Sequence, residues 1–446
     1  MQAGPHPSLA ARSLSCVWHP CTQMRDHEWL PLLAIARARG AWLEDGEGRR
    51  YLDAISSWWT CLFGHGHAPI VEAIGRQAAR LDHVLLGGCT HEPVVRLTER
   101  LLALAPPGLA RAHYASDGSS AVEIALKMSF HYWHNQGHPA RRRFLTLAGS
   151  YHGETLGALA VGDVGLYRDR YAPLLMEPLT LPCPAAPPGE AADTAVASAL
   201  AALEAALAQH ANEICALILE PLVQCAGGMR MYPPSFLRAA QALCRAHQVH
   251  LIADEIATGM GRTGSLLACE QAGITPDFLL LGKGLTGGLL PLSVCLTTDA
   301  IYQAFYADYP AQRAFLHSHS YSGNPIACAA ALTVLDEFEY RPVLADNRAL
   351  ATRMAQAAAP LREHPHVAEV RQTGMILAVE LARDRVAPYP WQERRGLRVY
   401  QHGLIQGALL RPLGNVVYWM PPYCITPEEI ESLGRITLTG VEAATR

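Results

Sequence analysis

Short runs in which almost every position is apolar punctuate the middle of the chain: Phe144–Leu147, Ala216–Leu219, Val249–Ala253, Phe278–Leu281 and Leu292–Thr297. Runs of this length and composition read as strands buried on both faces. Longer stretches with helical spacing separate some of them, at Ala191–His210 and Pro234–His247. Apolar strands alternating with helices predict an α/β fold with a mostly parallel sheet covered on both sides, over about residues 70–335. The Pro-rich stretch Pro182–Pro188 predicts a surface connection.

The flanks differ. Before residue 70, Ala41–Asp45 and Arg50–Leu52 read as short strands around a Gly46-Glu47-Gly48 turn. After residue 335, Val367–Arg371, Met375–Leu381 and Val416–Met420 read as strands, Glu393–Leu409 as a helix, and the end as helical. This predicts a smaller α+β domain at 336–446, a large domain at 70–335, and a segment 1–69 that contributes to the small domain and to the site.

Composition narrows the class. Half of the 446 residues are apolar and 17% are charged, which excludes disorder and leaves room for a buried subunit interface. With a net charge of −4 and no basic run longer than Arg141–Arg143, neither nucleic acid nor an anionic membrane is an expected partner. Charge-free stretches such as Gly284–Thr298 and Pro412–Pro427 are broken by Gly or Pro, so no spanning helix is expected. The opening MQAGPHPSLAARSLS lacks the basic start and apolar centre of a secretory signal. Twelve Cys without a C-x-x-C pair, several in apolar runs (Cys215, Cys295, Cys328), suit a reducing cytoplasm. No metal site is expected: His65-Gly-His67 and His317-Ser-His319 are the closest His pairs, and neither has ligand spacing.

Four features carry chemistry. Ile252-Ala253-Asp254-Glu255 ends a strand in two carboxylates, where open α/β sheets bind ligands; a capping role is the alternative. Leu281-Gly-Lys283-Gly-Leu-Thr-Gly-Gly288 sets a lysine among glycines that let backbone approach a ligand. Desolvation there would lower the pKa of Lys283 and make its amine nucleophilic; an ordinary turn lysine is the alternative. Ser116-Asp-Gly118-Ser119-Ser120 opens a helix, with Ser120 and Glu123 spaced as a capping box, and makes either a phosphate site or a plain cap. Arg411-Pro-Leu-Gly414 offers a guanidinium to a carboxylate, or a structural arginine. Gly259-Met-Gly-Arg-Thr-Gly264 matches a dinucleotide fingerprint but does not directly follow its strand. Phosphate anchor, lysine and carboxylate together are what pyridoxal phosphate needs.

Leu251-Ile-Ala-Asp254-Glu-Ile-Ala-Thr-Gly-Met-Gly-Arg262-Thr-Gly264, with Leu281 to Gly288, resembles the class III, fold-type I pyridoxal-phosphate aminotransferases. The resemblance runs from about Trp18 to Thr426. Trp18-His-Pro20, Ser56-Ser-Trp58-Trp59, Ser150-Tyr151-His-Gly153, Gly227-Gly-Met-Arg-Met-Tyr232, Gly323-Asn-Pro325 and Arg411-Pro-Leu-Gly414 resemble one branch of that family. That branch converts 8-amino-7-oxononanoate to 7,8-diaminononanoate in biotin biosynthesis.

The resemblance implies pyridoxal 5'-phosphate as cofactor and a homodimer. It implies Lys283 as the Schiff-base and proton-shuttling lysine, Asp254 on the pyridinium nitrogen, and Gly118 and Ser119 on the phosphate. His319 and Ser320 would reach the phosphate from the other subunit. Tyr151 would lie over the cofactor ring and line the substrate site, Trp58 and Trp59 would wall the substrate channel, and Ser318 would add a substrate contact. Arg411 would take the oxo-acid carboxylate. Exchange would be ping-pong through pyridoxamine phosphate.

Cys21 stands at a substrate-contact position where the better-known form has Tyr, Glu154 where it has Asp, and His319 where it has Pro. S-adenosylmethionine is the donor implied; lysine as donor, or another class III ω-amine transaminase, are the alternatives.

Overall fold

The computed structural model describes residues 8–30 and 32–446. The signal-peptide reading of the N-terminus falls partly on residues 1–7, outside the described residues, as does part of the 1–69 segment.

The central sheet has seven strands in the order Leu109–Ala115, Ser293–Thr298, Phe278–Leu281, His250–Asp254, Ile214–Leu219, Arg143–Leu147, Leu179–Leu181. All five predicted runs are strands, and most pair in parallel. Ser293–Thr298 runs antiparallel to both neighbours, so the sheet carries one reversed strand.

The pleat divides the sheet's side chains between two cores, because alternate residues point to opposite faces. Ile252, Phe278, Leu280 and Ile218 pack with Val122, Ile124 and Ala125 of the helix Gly118–Asn135. Leu251, Ala253, Leu279 and Leu217 pack with Leu203, Leu207, Phe236 and Leu237 of the helices Ala192–His210 and Pro234–Ala246. Burial on both faces is why these runs are apolar at every position.

Two expectations need correction. The helix predicted at Glu393–Leu409 spans Arg395–Gln406, because Gly407 turns left-handed at φ 83° and frees Ala408–Leu409 to pair with Leu52 and Asp53. The stretch Pro182–Pro188 is not wholly on the surface, since Pro184 and Ala185 are buried.

That Leu52 pairing joins the two ends of the chain in one sheet: Ile35–Arg39, Trp42–Asp45, Arg50–Asp53 and Ala408–Leu409. Val367–Thr373, Ile376–Leu381 and Val416–Trp419 form an antiparallel sheet beside it. The last helix, Pro427–Thr445, starts on a capping box in which Thr426 and Glu429 each bond the other's backbone N–H. Among the described residues no helix is long and apolar enough to cross a membrane, and no group of three or more His, Cys, Asp or Glu side chains is gathered to hold a metal.

Candidate active site

The register of two parallel strands sets the first relationship. Asp254 lies opposite Leu280, so Lys283 follows three residues beyond its level. Asp254 is buried and its carboxylate is fixed: Oδ2 accepts from Nδ1 of His152 at 2.7 Å, and Oδ1 accepts from the backbone N–H of Ile256 at 3.1 Å. An ionised carboxylate only accepts, so the proton of this bond is on Nδ1. Nε2 of His152 is buried without a partner. Glu220 stands behind, accepting from the N–H of Tyr151 at 3.0 Å and of Cys225 at 2.9 Å. Burial pushes its carboxyl up to about 7, with His152 pulling down and the charge of Asp254 pushing up.

Lys283 sits with φ 42°, in the left-handed region. Burial lowers its pKa, against the opposing pull of the Asp254 carboxylate. Its Nζ lies 4.9 Å over the ring of Trp59. The glycines around it do something other than expected. A Cβ on Gly284 would meet Leu62 at 2.9 Å, and one on Gly288 would meet the backbone of Thr60 and Cys61 at 2.7 Å. They let segment 60–62 close onto the lysine loop rather than admit a ligand. The Gly259–Gly264 motif serves the same segment: the buried guanidinium of Arg262 donates to the carbonyls of Trp59, Cys61 and Pro421.

That segment is strained. Ser56, Ser57, Trp58 and Trp59 have φ of 50°, 43°, 76° and 72°, four successive non-glycine residues in the left-handed region. Each costs roughly 1–2 kcal/mol, so the surroundings must hold them. Ser56 Oγ donates to the carbonyl of Met420 at 2.7 Å, and the Trp59 indole N–H donates to Tyr418 Oη at 3.0 Å. Trp59 is buried and lies against Lys283, while Trp58 is 41% exposed and lies against Arg411.

The helix Gly118–Asn135 begins one turn earlier than a Ser120 cap would allow. Asp117 is the cap, accepting from the N–H and Oγ of Ser120 at 2.9 and 2.8 Å. Glu123 instead accepts from the N–H groups of Gly157 and Ala158. The expected capping box is therefore absent. Ser119 Oγ meets Thr155 Oγ1 at 2.7 Å and accepts from the Thr155 N–H. A Cβ on Gly118 would meet Ile256 at 2.9 Å, two residues from Asp254, so only glycine brings this helix start so close.

A third group is built on Tyr151, whose N–H is held by Glu220. Tyr151 Oη donates to Glu154 at 2.9 Å, and its ring lies 5.4 Å from Tyr167. Burial and Glu154 raise the pKa of the Tyr151 phenol. Tyr167 Oη is 3.7 Å from Cys21 Sγ. Arg411 donates to the Cys21 carbonyl at 2.6 Å and lies 4.5 Å over the Trp58 ring.

Ser318, His319 and Ser320 do not join this set within the chain. His317 accepts from Lys127 at 2.8 Å and meets His319 at 3.2 Å, which places their loop nine residues down the helix from Gly118. His152 lies inside the Ser150–Gly153 motif and Glu220 directly follows the strand run Ala216–Leu219, but neither these two nor Thr155 and Tyr167 have a spacing that marks them as site residues.

The chemistry of these donors fits a phosphorylated pyridine aldehyde. A free helix start with hydroxyls suits a phosphate, a buried carboxylate braced by an imidazole suits a protonated ring nitrogen, and a lysine with a lowered pKa suits an aldehyde.

The family model "Aminotransferase class-III" matches residues 23–437. The adenosylmethionine-8-amino-7-oxononanoate aminotransferase of Helicobacter pylori is 47% identical over 429 residues, 95% of each chain. That of Geobacter sulfurreducens is 43% identical over 94% of this chain and 93% of its own. The crystal structure of the Methanocaldococcus jannaschii enzyme of the same name has a TM-score of 0.92 at 36% identity, covering 97% of this chain and 98% of that one. The omega transaminase of Pseudomonas jessenii in complex with PMP has a TM-score of 0.93 at 27% identity, covering 98% of both.

Proposed function

The chain belongs to the class III aminotransferases, and from that premise we propose that it aminates 8-amino-7-oxononanoate to 7,8-diaminononanoate, the biotin-pathway transamination, with S-adenosylmethionine as donor and pyridoxal 5'-phosphate as cofactor. The observation that carries this reading is the Trp58-Trp59 pair. One indole stacks with the Arg411 guanidinium at 4.5 Å and its neighbour lies under the Lys283 amine at 4.9 Å. A carboxylate bound at Arg411 and a carbonyl presented to Lys283 would be joined by an apolar chain running along indole, which describes the oxo-acid. The relatives with 43–47% identity carry this activity in their names, whereas fold alone matches omega transaminases equally well.

Gly118, Ser119 and Thr155 would hold the cofactor's phosphate, Asp254 its ring nitrogen and Lys283 its aldehyde carbon. When bound, the cofactor supplies an electron sink for the carbon that loses or gains a proton. Lys283, with its lowered pKa, accepts that proton at Nζ and returns it. Asp254 would pair with the ring nitrogen, and His152 fixes its orientation. Tyr151 covers the site and, with Trp59, keeps water from it. The donor would leave as an oxo-acid before the second substrate enters, its amino nitrogen held meanwhile by the bound cofactor. Ser320 is exposed and His319 half-buried in one chain, which suits their reaching the phosphate of the other subunit in a homodimer, with Ser318, also exposed, adding a substrate contact. Pairing of Ala408 with Leu52 supports grouping the 1–69 segment with the 336–446 domain around the 70–335 domain.

Cys21 favours one second reading. It offers the site a thiol and a carbonyl, with no phenol, so lysine is the alternative donor. An acceptor panel tests the main reading: turnover with 8-amino-7-oxononanoate supports it, and turnover only with short ω-aldehydes or pyruvate contradicts it.

A further inference from the structure

We infer that Asp53 is a positioning residue of this site, holding the left-handed turn Ser56–Trp59 so that Trp58 meets Arg411 while Trp59 meets Lys283. Asp53 closes the strand Arg50–Asp53 and is fully buried. Its carboxylate is used on every side. Oδ1 accepts from the N–H of Ser57 at 2.9 Å and of Ile55 at 3.3 Å. Oδ2 accepts from Ser57 Oγ at 2.7 Å and from His65 Nε2 at 2.9 Å. Two of these bonds hold Ser57 of the turn, and a third holds Ile55, which leads into it. The fourth reaches His65, whose backbone pairs with Gly40 and so anchors the far end of the loop to the same sheet.

The two ends of the turn are held by different groups. The Trp59 end has ties of its own, through Tyr418 and Arg262. The Ser57 end, from which Trp58 projects, is tied to Asp53 by both its N–H and its hydroxyl. None of the four residues is glycine, so the chain has no preference of its own for this conformation. A residue with two short, rigid acceptor oxygens at the end of a sheet strand is what such a turn requires. Without it, Ser57 and Trp58 return to the right-handed region, and the indole leaves Arg411 while Trp59 stays near Lys283. Asp53 touches no substrate in this scheme; it acts through Trp58.

The acceptor half of this inference rests on the function proposed above, and the spectroscopic half does not. The test uses the full chain labelled with 5-fluorotryptophan, with the Trp58 resonance assigned by Trp58→Phe. In Asp53→Ala the Trp58 fluorine resonance shifts and broadens, with or without cofactor, while that of Trp59 holds. In the holoenzyme the same variant lowers kcat/KM for 8-amino-7-oxononanoate about tenfold or more, mainly through KM, and changes the donor half-reaction less than about threefold. Asp53→Asn, which keeps one acceptor oxygen, recovers most of the loss. Ser57→Ala shifts the same resonance by less, and carries the test if Asp53→Ala does not fold. A Trp58 resonance unmoved in Ser57→Ala and in Asp53→Ala overturns the inference, as does an equal loss in both half-reactions. A moved resonance in a chain whose wild type ignores 8-amino-7-oxononanoate supports the positioning role and removes the proposed substrate.

Discussion

His152 donates from Nδ1 to Asp254 at 2.7 Å, both side chains buried, and leaves its Nε2 without a partner. This bond sets the orientation of the buried Asp254 carboxylate. Removing the imidazole leaves a buried carboxylate short of a donor, which costs about 1–3 kcal/mol. His152→Ala is expected to lower kcat about tenfold to hundredfold and to weaken cofactor retention, measured by dialysis and reconstitution. Wild-type retention and rate in that variant would remove the role.

Lys283→Ala removes the nitrogen proposed to hold the cofactor and move the proton. Turnover is expected to fall by at least about a thousandfold, with loss of the lysine-dependent visible absorbance of the loaded protein. A spectrum and rate like wild type would end the mechanism.

Arg411→Ala keeps the donor half-reaction and raises KM for the oxo-acid by about tenfold to hundredfold, the value of a charge-assisted pair. Rapid-mixing measurements of each half-reaction separate the two. Equal losses in both would reject its assigned role.

Gly288→Ala places a Cβ 2.7 Å from the backbone of Cys61 at φ 89°. Neither side can move without shifting Lys283 or the Trp58-Trp59 turn. A loss of about 2–4 kcal/mol in stability is expected, read by denaturant unfolding of the holoenzyme. A change below 0.5 kcal/mol, about the size of a neutral surface substitution, would show that the two loops are not in contact.

His250 is buried against Trp133, stacked at 4.7 Å, with its Nδ1 bonded to Ser129. Burial, and then Arg141, hold its pKa down to about 3. The folded pKa lies below the unfolded value, so the unfolded chain takes up this proton first as pH falls. Stability is therefore lost from about pH 6.5 downward, by roughly 1.4 kcal/mol per unit, until the folded group titrates. His250→Phe should flatten the dependence of unfolding free energy on pH by about one proton between pH 6 and 4. An unchanged slope would show that His250 is charged in the fold.

Much of this architecture can be read from the chain because burial leaves a mark. Strands covered on both faces are apolar throughout, and Asp254 and Lys283 stand out as charges at their ends. The direction of Ser293–Thr298 leaves no such mark, since a reversed strand in the middle of a sheet is buried like its neighbours. Leu109–Ala115 escaped notice because it lies at the sheet edge, where Arg111 and His113 interrupt the apolar pattern. The cap at Asp117 was hidden by Ser120, which offers the same chemistry three residues later. The left-handed turn at Ser56–Trp59 has no glycine to announce it; Asp53, from outside the motif, supplies the reason. His152 and Glu220 act through neighbours rather than through a spacing, so only the packed structure brings them to Asp254.

In the proposed reaction one site passes nitrogen from a donor to 8-amino-7-oxononanoate. It is tested most directly by following the cofactor's visible absorbance in two additions to the purified holoenzyme. S-adenosylmethionine alone should change the spectrum, and 8-amino-7-oxononanoate alone, added after the donor is removed, should restore it and yield 7,8-diaminononanoate. A change produced by lysine but not by S-adenosylmethionine would reassign the donor and leave the acceptor claim standing. A spectrum that 8-amino-7-oxononanoate fails to restore, after any donor, would contradict the account.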